Sequence, residues 1–245
     1  MNIAGNIRKL VVTVGLFVLI PLCLCGQGLE YRPVVNGVLI ENPHYCLDFN
    51  TGHKQPNWVC YSLTPAHVTG RAPRSSTFRN GRRGNVSSAT TDDYKGSGYD
   101  RGHLCPAADM KLSREAMTAT FLMWNMSPQE PSFNRGGWAQ LEALVRGYID
   151  GATDTLHVVT GPVFIGNKGS IGANSVTIPG FFYKVIYCPR RGGIAFLMPN
   201  RRISGPLKSW QVSIDLIEAL SGMDFFPGLP DERENEIEAQ VEWWE

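Results

Sequence analysis

Tyr99-Asp100-Arg101-Gly102-His103-Leu104-Cys105-Pro106-Ala107-Ala108-Asp109 decides how this chain is read. Three consecutive positions join a fixed positive charge (Arg101), a residue without a side chain (Gly102) and a group that titrates close to neutral pH (His103). Gly102 allows a sharp backbone bend that would present the imidazole to a cleft. A ring with a pKa of ~6.5 can accept a proton from water at neutral pH. Arg101 offers a planar fork of donors that matches phosphate oxygens. A surface pair with Asp100 or Asp109 is the plainer alternative for it.

Downstream lies Phe133-Asn134-Arg135-Gly136-Gly137-Trp138, followed by Leu141, Glu142 and Arg146. Asn134 precedes a helical pattern, where Asn is a favoured cap. Its amide oxygen is also a ligand type that Mg²⁺ accepts, and that ion keeps several waters when phosphate supplies other oxygens. Glu142 falls about two helical turns beyond Asn134 and could hold a water beside it. Glu142 and Arg146 are spaced i,i+4, so a simple ion pair is the alternative. A histidine, an arginine and an amide oxygen brought together suit hydrolysis of a phosphodiester with a hard metal ion.

The rest of the chain sets bounds on that reading. The 245 residues suffice for one substantial domain. Arg8 and Lys9 precede an apolar run from Leu10 to Leu24, and small residues follow at Cys25 and Gly26. This pattern predicts a signal peptide over 1–25 and export to the periplasm or medium. The run is short for a membrane span of roughly 20 apolar residues, and no stable membrane partner is expected after cleavage. Leu24 before Cys25 disfavours a lipid anchor. Loss of 1–25 lowers Lys+Arg from 23 to 21 against 22 acidic residues, a net charge of −1. A global basic charge for nucleic acid is thereby excluded, and any such binding needs a local patch. Cys46, Cys60, Cys105 and Cys188 remain in the exported chain, with their pairing open. The mature chain has no Cys-x-x-Cys, which argues against structural zinc.

Residues 26–42 read as a weakly structured leader. Tyr45 to Phe49 and Trp58 to Leu63 read as strands around a loop at Asn50-Thr51-Gly52, so Cys46 and Cys60 could meet. Residues 69–98 form a long polar surface segment carrying Arg71, Arg74, Arg79, Arg82 and Arg83. Helices are expected over Ser113–Met123, Gly137–Ile149 and Ser213–Ser221, the last stopped by Gly222. Strands are expected at Leu156–Thr160, Phe181–Cys188 and Ile194–Met198. Asp231–Trp244 reads as an acidic helical tail. Gly161 to Lys168 is not a Walker A loop, because Asn167 separates Gly166 from Lys168. No Gly-x-Ser-x-Gly elbow is present. One α+β domain is the economical architecture.

Three ordered motifs then combine: Asp93-Tyr94-Lys95-Gly96-Ser97-Gly98 leading into Tyr99–Leu104, Trp124-Asn125-Met126-Ser127-Pro128-Gln129, and Phe133–Trp138 with Leu141-Glu142. Together they resemble the DNA/RNA non-specific endonuclease family, the ββα-metal (His-Me finger) nucleases. The resemblance runs from about Tyr45 to Leu229 and places the domain at 43–230, with 231–245 as the tail. It implies a ββα-metal fold on a mixed sheet body and Mg²⁺-dependent cleavage of DNA and RNA, with Mn²⁺ or another divalent ion as a substitute. It further implies His103 as general base, Asn134 as the direct metal ligand, and Arg101, Asn125, Glu142 and Arg146 as supporting catalytic residues. Arg101, Arg146 and an upstream arginine, best matched by Arg74 with Arg71 or Arg79 as alternatives, would bind the phosphate. Cys105 departs from the family, where a small residue is usual. Two other functions fit the same residues: a phosphodiesterase for small nucleotides, and a nucleic-acid-binding protein without catalysis. The oligomeric state is open, a homodimer included.

Overall fold

The computed structural model describes residues 31–149 and 155–244. The signal peptide expected over 1–25 lies outside the described residues. Among the described residues no helix is long and apolar enough to cross a membrane.

The scaffold is an antiparallel sheet of seven strands. Its members are β1 (Val38–Glu41), β2 (Cys46–Asn50), β3 (Gln55–Leu63), β6 (Leu156–Val163), β7 (Phe181–Cys188), β8 (Gly192–Pro199) and β9 (Gln211–Val212), and they lie side by side in that order. A separate antiparallel pair, β4 (Asp100–His103) and β5 (Met126–Gln129), lies between β3 and β6 in the chain. The helices that matter here are α1 (Arg114–Ala119), α2 (Ala139–Gly147), α3 (Ile214–Ser221) and α4 (Asp231–Ala239).

Strand side chains alternate between faces, and here both faces are buried. Val59, Tyr61, Val158, Phe182, Ile186 and Phe196 join one core, where they meet Trp138, Leu141 and Val145 of the α2 region. Trp58, Val159, Tyr183, Val185 and Tyr187 join the other, with Ile214, Ile217 and Ile237 of α3 and α4. Each large side chain so buried contributes roughly 1.5–3 kcal/mol, which is why these strands read as almost continuous apolar runs.

Several local expectations are corrected. Part of the leader is structured: Val38–Glu41 pairs with Cys46–Asn50. Asp48 fastens the approach to it by accepting hydrogen bonds from the Asn36 and Gly37 amides (3.1 and 2.6 Å). The helix expected over 113–123 stops at Ala119. Ser113 caps it as predicted, accepting from the Ala116 amide at 3.1 Å. Its end is held by buried Asn125, whose Nδ2 donates to the Thr120 carbonyl at 3.0 Å. The helix expected from Gly137 begins at Ala139, after a wide turn over Phe133–Trp138 broken at Gly136 (φ −111°, ψ −109°). The acidic tail is helical only to Ala239. Beyond it Trp243 and Trp244 pack into the core of the α2 face. The polar segment 69–98 is not all surface, since Ser88, Ala89, Asp93 and Tyr94 are buried.

Cys46 stands opposite Cys60 in the β2–β3 register. Cys105 and Cys188 are buried free thiols and do not bridge. The Gly161–Lys168 stretch is a strand running into a turn, with Lys168 Nζ donating to the Asn200 carbonyl at 2.5 Å. Ser213 and Gly222 bound α3 as expected, the Ser213 hydroxyl accepting from the Leu216 amide at 3.2 Å.

Candidate active site

β4 and β5 pair antiparallel with Gly102 opposite Ser127 and His103 opposite Met126. Gly102 is therefore not a bend. A Cβ built on it would lie 2.3 Å from Gln129 Cδ, so the position stays side-chain-free to make room for the buried Gln129 side chain lying across it. The strand projects Arg101 and His103 into a cavity of about 360 Å³ lined also by Arg74, Phe78, Asp100, Asn134 and Glu142.

The imidazole sits edge-on to Phe121, ring centres 4.8 Å apart, and its Nε2 is buried without a hydrogen-bond partner. Burial first, then the charges of Arg74 and Arg101, push its pKa down to about 3. The ring is therefore neutral at neutral pH. The two arginines are held by aromatic faces: Arg101 lies 4.2 Å from the centre of Phe78 and Arg74 lies 5.3 Å from that of Phe121. These two phenylalanines were missed in the sequence. Their only signal was an aromatic residue in an otherwise polar loop and one at the end of a short helix.

Arg101 pairs with neither aspartate. Asp100 instead accepts a two-pronged contact from Arg135 (2.8 and 2.6 Å) and a hydrogen bond from Asn134 Nδ2 (2.8 Å). Burial works against its charge, but Arg135 and Asn134 outweigh that and hold the Asp100 carboxyl below its ordinary range. A carboxylate only accepts, so the Asn134 amide must turn its NH₂ to Asp100 and keep Oδ1 for the cavity. This orienting role of Asp100 was also missed.

Glu142 reaches the same cavity from α2. Burial raises its carboxyl to about 7, with Lys184 the main opposing charge. Lys184 itself is fully buried on β7, beneath α2. Its Nζ donates to the Thr160 hydroxyl at 2.7 Å and stands 5.0 Å from the Trp138 ring centre.

Arg146 does not hydrogen-bond to Glu142 and does not line the cavity. It donates to Asp109 at 2.8 Å, and the Tyr61 hydroxyl donates to the other Asp109 oxygen, also at 2.8 Å. Asn125 is likewise outside the cavity: it is fully buried. Its Oδ1 accepts from the Cys105 amide and its Nδ2 donates to the Cys105 carbonyl, both at 2.8 Å. Of the three candidate upstream arginines only Arg74 lines this cavity; Arg79 lines a different depression beside Arg114 and Glu115.

A strand pair, a turn and a helix thus gather a neutral imidazole, an oriented amide oxygen, a carboxylate and two guanidinium groups at one opening. The family model for DNA/RNA non-specific endonucleases matches residues 30–232. The chain belongs to the DNA/RNA non-specific endonuclease family, hydrolases that act on nucleic acids. It is 32% identical to a nuclease of Nostoc sp. over 84% of this chain and 79% of that protein. It is 35% identical to nuclease C1 of Cunninghamella echinulata over 78% of this chain and 83% of that protein. A chain of the crystal structure of the EndoG/EndoGI complex superposes with a TM-score of 0.75 at 28% identity, covering 83% of this chain and 91% of that one. The fold is accordingly the ββα-metal type, with β4, β5 and α2 as its ββα unit.

Proposed function

We propose that this chain is an exported, divalent-metal-dependent endonuclease that hydrolyses phosphodiester bonds of DNA and RNA with little sequence preference. One observation carries the reading: His103, Asn134, Glu142, Arg74 and Arg101 open onto a single cavity. His103, neutral at neutral pH, takes a proton from the attacking water through the ring nitrogen that meets the cavity. Water as nucleophile makes no use of a 2′-hydroxyl, so neither sugar is required. Arg74 and Arg101 grip phosphate oxygens, which are common to every sequence. Asn125 and Arg146 act from behind, holding the Cys105 backbone and Asp109.

The donor set fits Mg²⁺ or Mn²⁺. It offers hard oxygens, Asn134 Oδ1 with Glu142 beside it, and no thiolate opens onto the cavity. Such an ion, held by Asn134, would supply Lewis-acid stabilisation of charge on the phosphate. Glu142 holds and orients water next to it. Export rests on the basic and apolar pattern of residues 1–25.

The test is cleavage of supercoiled plasmid and of single-stranded RNA, with Mg²⁺ and with EDTA. Both substrates should be cut only with the ion. His103→Ala should lower the rate by about 10²–10⁴-fold or more. A loss of less than tenfold would remove His103 as the base. Cutting of dinucleotides with no salt dependence, beside intact polymers, would favour a small-nucleotide phosphodiesterase.

A further inference from the structure

The other face of the sheet carries a second cluster of carboxylates, unrelated to the His103 cavity. Asp215 and Glu218 lie one turn apart on α3, and Glu234 and Glu238 one turn apart on α4. Single oxygens of Asp215, Glu218 and Glu238 all lie within 4.8 Å of one another. Glu238 is only 6% exposed, next to fully buried Ile237. Its Oε1 is buried and has no hydrogen-bond partner, and the same holds for Oε1 of Glu234.

Such a group is unusual. An isolated buried carboxylate is normally paired with a cation or saturated by donors. After burial itself, the groups acting most on Glu238 are all carboxylates, Glu218, Glu234, Asp215 and Asp224, and they push its pKa up to about 8. Glu234 is raised too, by burial and then by neighbouring acids, and Glu218 is raised by burial with Asp224 and Asp215, against the Phe225 amide and its hydrogen bond with Glu238. Arg233 on α4 is engaged with Glu236 at 2.5 Å. Glu218 accepts from the Phe225 amide at 2.8 Å, which fixes its carboxyl, and its side chain also meets that of Glu238.

The donors are oxygens only, contributed by two helices, with exposed Asp215 at the solvent edge for completing waters. No histidine or thiol belongs to the cluster, so its donors favour a hard cation over zinc. Three carboxylates, completed by water, match Ca²⁺, which takes six to eight oxygens in flexible geometry, better than Mg²⁺, which is reluctant to give up its waters. We propose that Asp215, Glu218 and Glu238 form a structural Ca²⁺ site that clamps α4 onto α3. Glu234 and Asp224 add negative charge around it. The ion is separated from the nuclease cavity by the sheet and stabilises the fold without taking part in cleavage.

The experiment uses the full chain carrying Asn134→Ala, so that the cavity ligand does not contribute. The protein is stripped with EDTA and titrated with CaCl₂, read by calorimetry and by thermal unfolding. One Ca²⁺ per chain should bind, and at about a hundredfold excess over Kd the Tm should rise by roughly 5–10 °C. Glu238→Gln should abolish both signals. Asp215→Asn, at an exposed position where folding is not at stake, should weaken binding at least tenfold. No heat and no Tm change up to ~10 mM Ca²⁺, a concentration above the weak extracellular sites, would overturn the proposal. So would an equal Tm rise with NaCl at matched ionic strength, or a Ca²⁺ response unaltered in both variants.

Discussion

The two faces of the central sheet treat buried charge in opposite ways. Beneath α2, polar and titratable side chains enter the interior with partners: Asp109 with Arg146 and Tyr61, Lys184 with Thr160 and the Trp138 ring. Beneath α3 and α4 the packing is mostly aromatic and aliphatic; Asp48, at the edge of that face, is saturated by the Asn36 and Gly37 amides and Asn57, but at Glu238 one carboxylate oxygen has no partner. The first face is a polar lattice that fixes the backbone behind a reactive cavity. The second is an apolar support with one electrostatic gap. Partnered burial is costly to break, whereas an unpartnered group is costly to keep.

The most severe way to break this contrast is to remove one partner from the lattice. Arg146→Ala leaves Asp109, 1% exposed, with only the Tyr61 hydroxyl. A loss of about 3–5 kcal/mol is expected in urea unfolding. A loss under ~1 kcal/mol would mean that water or another cation already screens Asp109.

His157 tests the opposite face through pH. It is buried against Tyr31, ring centres 3.9 Å apart, and burial lowers its pKa to about 4 from 6.5. The unfolded chain binds the proton first. The stability that depends on neutral His157 is therefore complete above pH 6.5 and is lost as pH falls through about 4. The loss amounts to ~3 kcal/mol across that window. His157→Gln should flatten the wild-type curve over that range whatever its absolute stability. Parallel curves would show that the ring is protonated without cost.

Glu142 belongs to the lattice face yet behaves in part like Glu238. Its carboxyl is raised to about 7 from 4.5, so favourable stability is fully present below pH 4.5 and is lost as pH rises through 7. At pH 8, Glu142→Gln should therefore be more stable than wild type, by ~1–3 kcal/mol, while cleaving nucleic acid more slowly. A variant that loses both stability and activity would assign Glu142 to the supporting lattice instead of to the chemistry.

How much of this was legible in the amino-acid order follows from the range of each interaction. The runs at Tyr45–Phe49, Trp58–Leu63 and Phe181–Cys188 announced strands because both their faces are buried. Ser213 and Gly222 announced the ends of α3 because capping is local. His103, Arg101, Asn134 and Glu142 could be singled out from motif order, and they do line one cavity. The partners of charged groups were not legible. Spacing on α2 pointed Arg146 at Glu142, four residues away, but tertiary packing turns it to Asp109, thirty-seven residues away. Val38–Glu41 was hidden because a four-residue edge strand carries little periodicity and depends on Asp48 for its approach. Lys184 was hidden inside an apolar run, and Gly102 was mistaken for a hinge because a sequence does not display the neighbouring Gln129.

The smallest expected effect separates two kinds of glycine, one on each face. Gly102 is needed for space. Gly222, the residue that ends α3, has open space around its Cα but a left-handed backbone with φ of +69°. Only conformation resists a side chain there, so Gly222→Ala should cost about 1 kcal/mol, and Gly222→Asn less, because Asn tolerates that region. Cleavage should be unchanged in both variants, since the sheet stands between α3 and the cavity. A measurable fall in cleavage with folding intact would mean that the two faces communicate through the sheet, and that the apolar face does more than support the other.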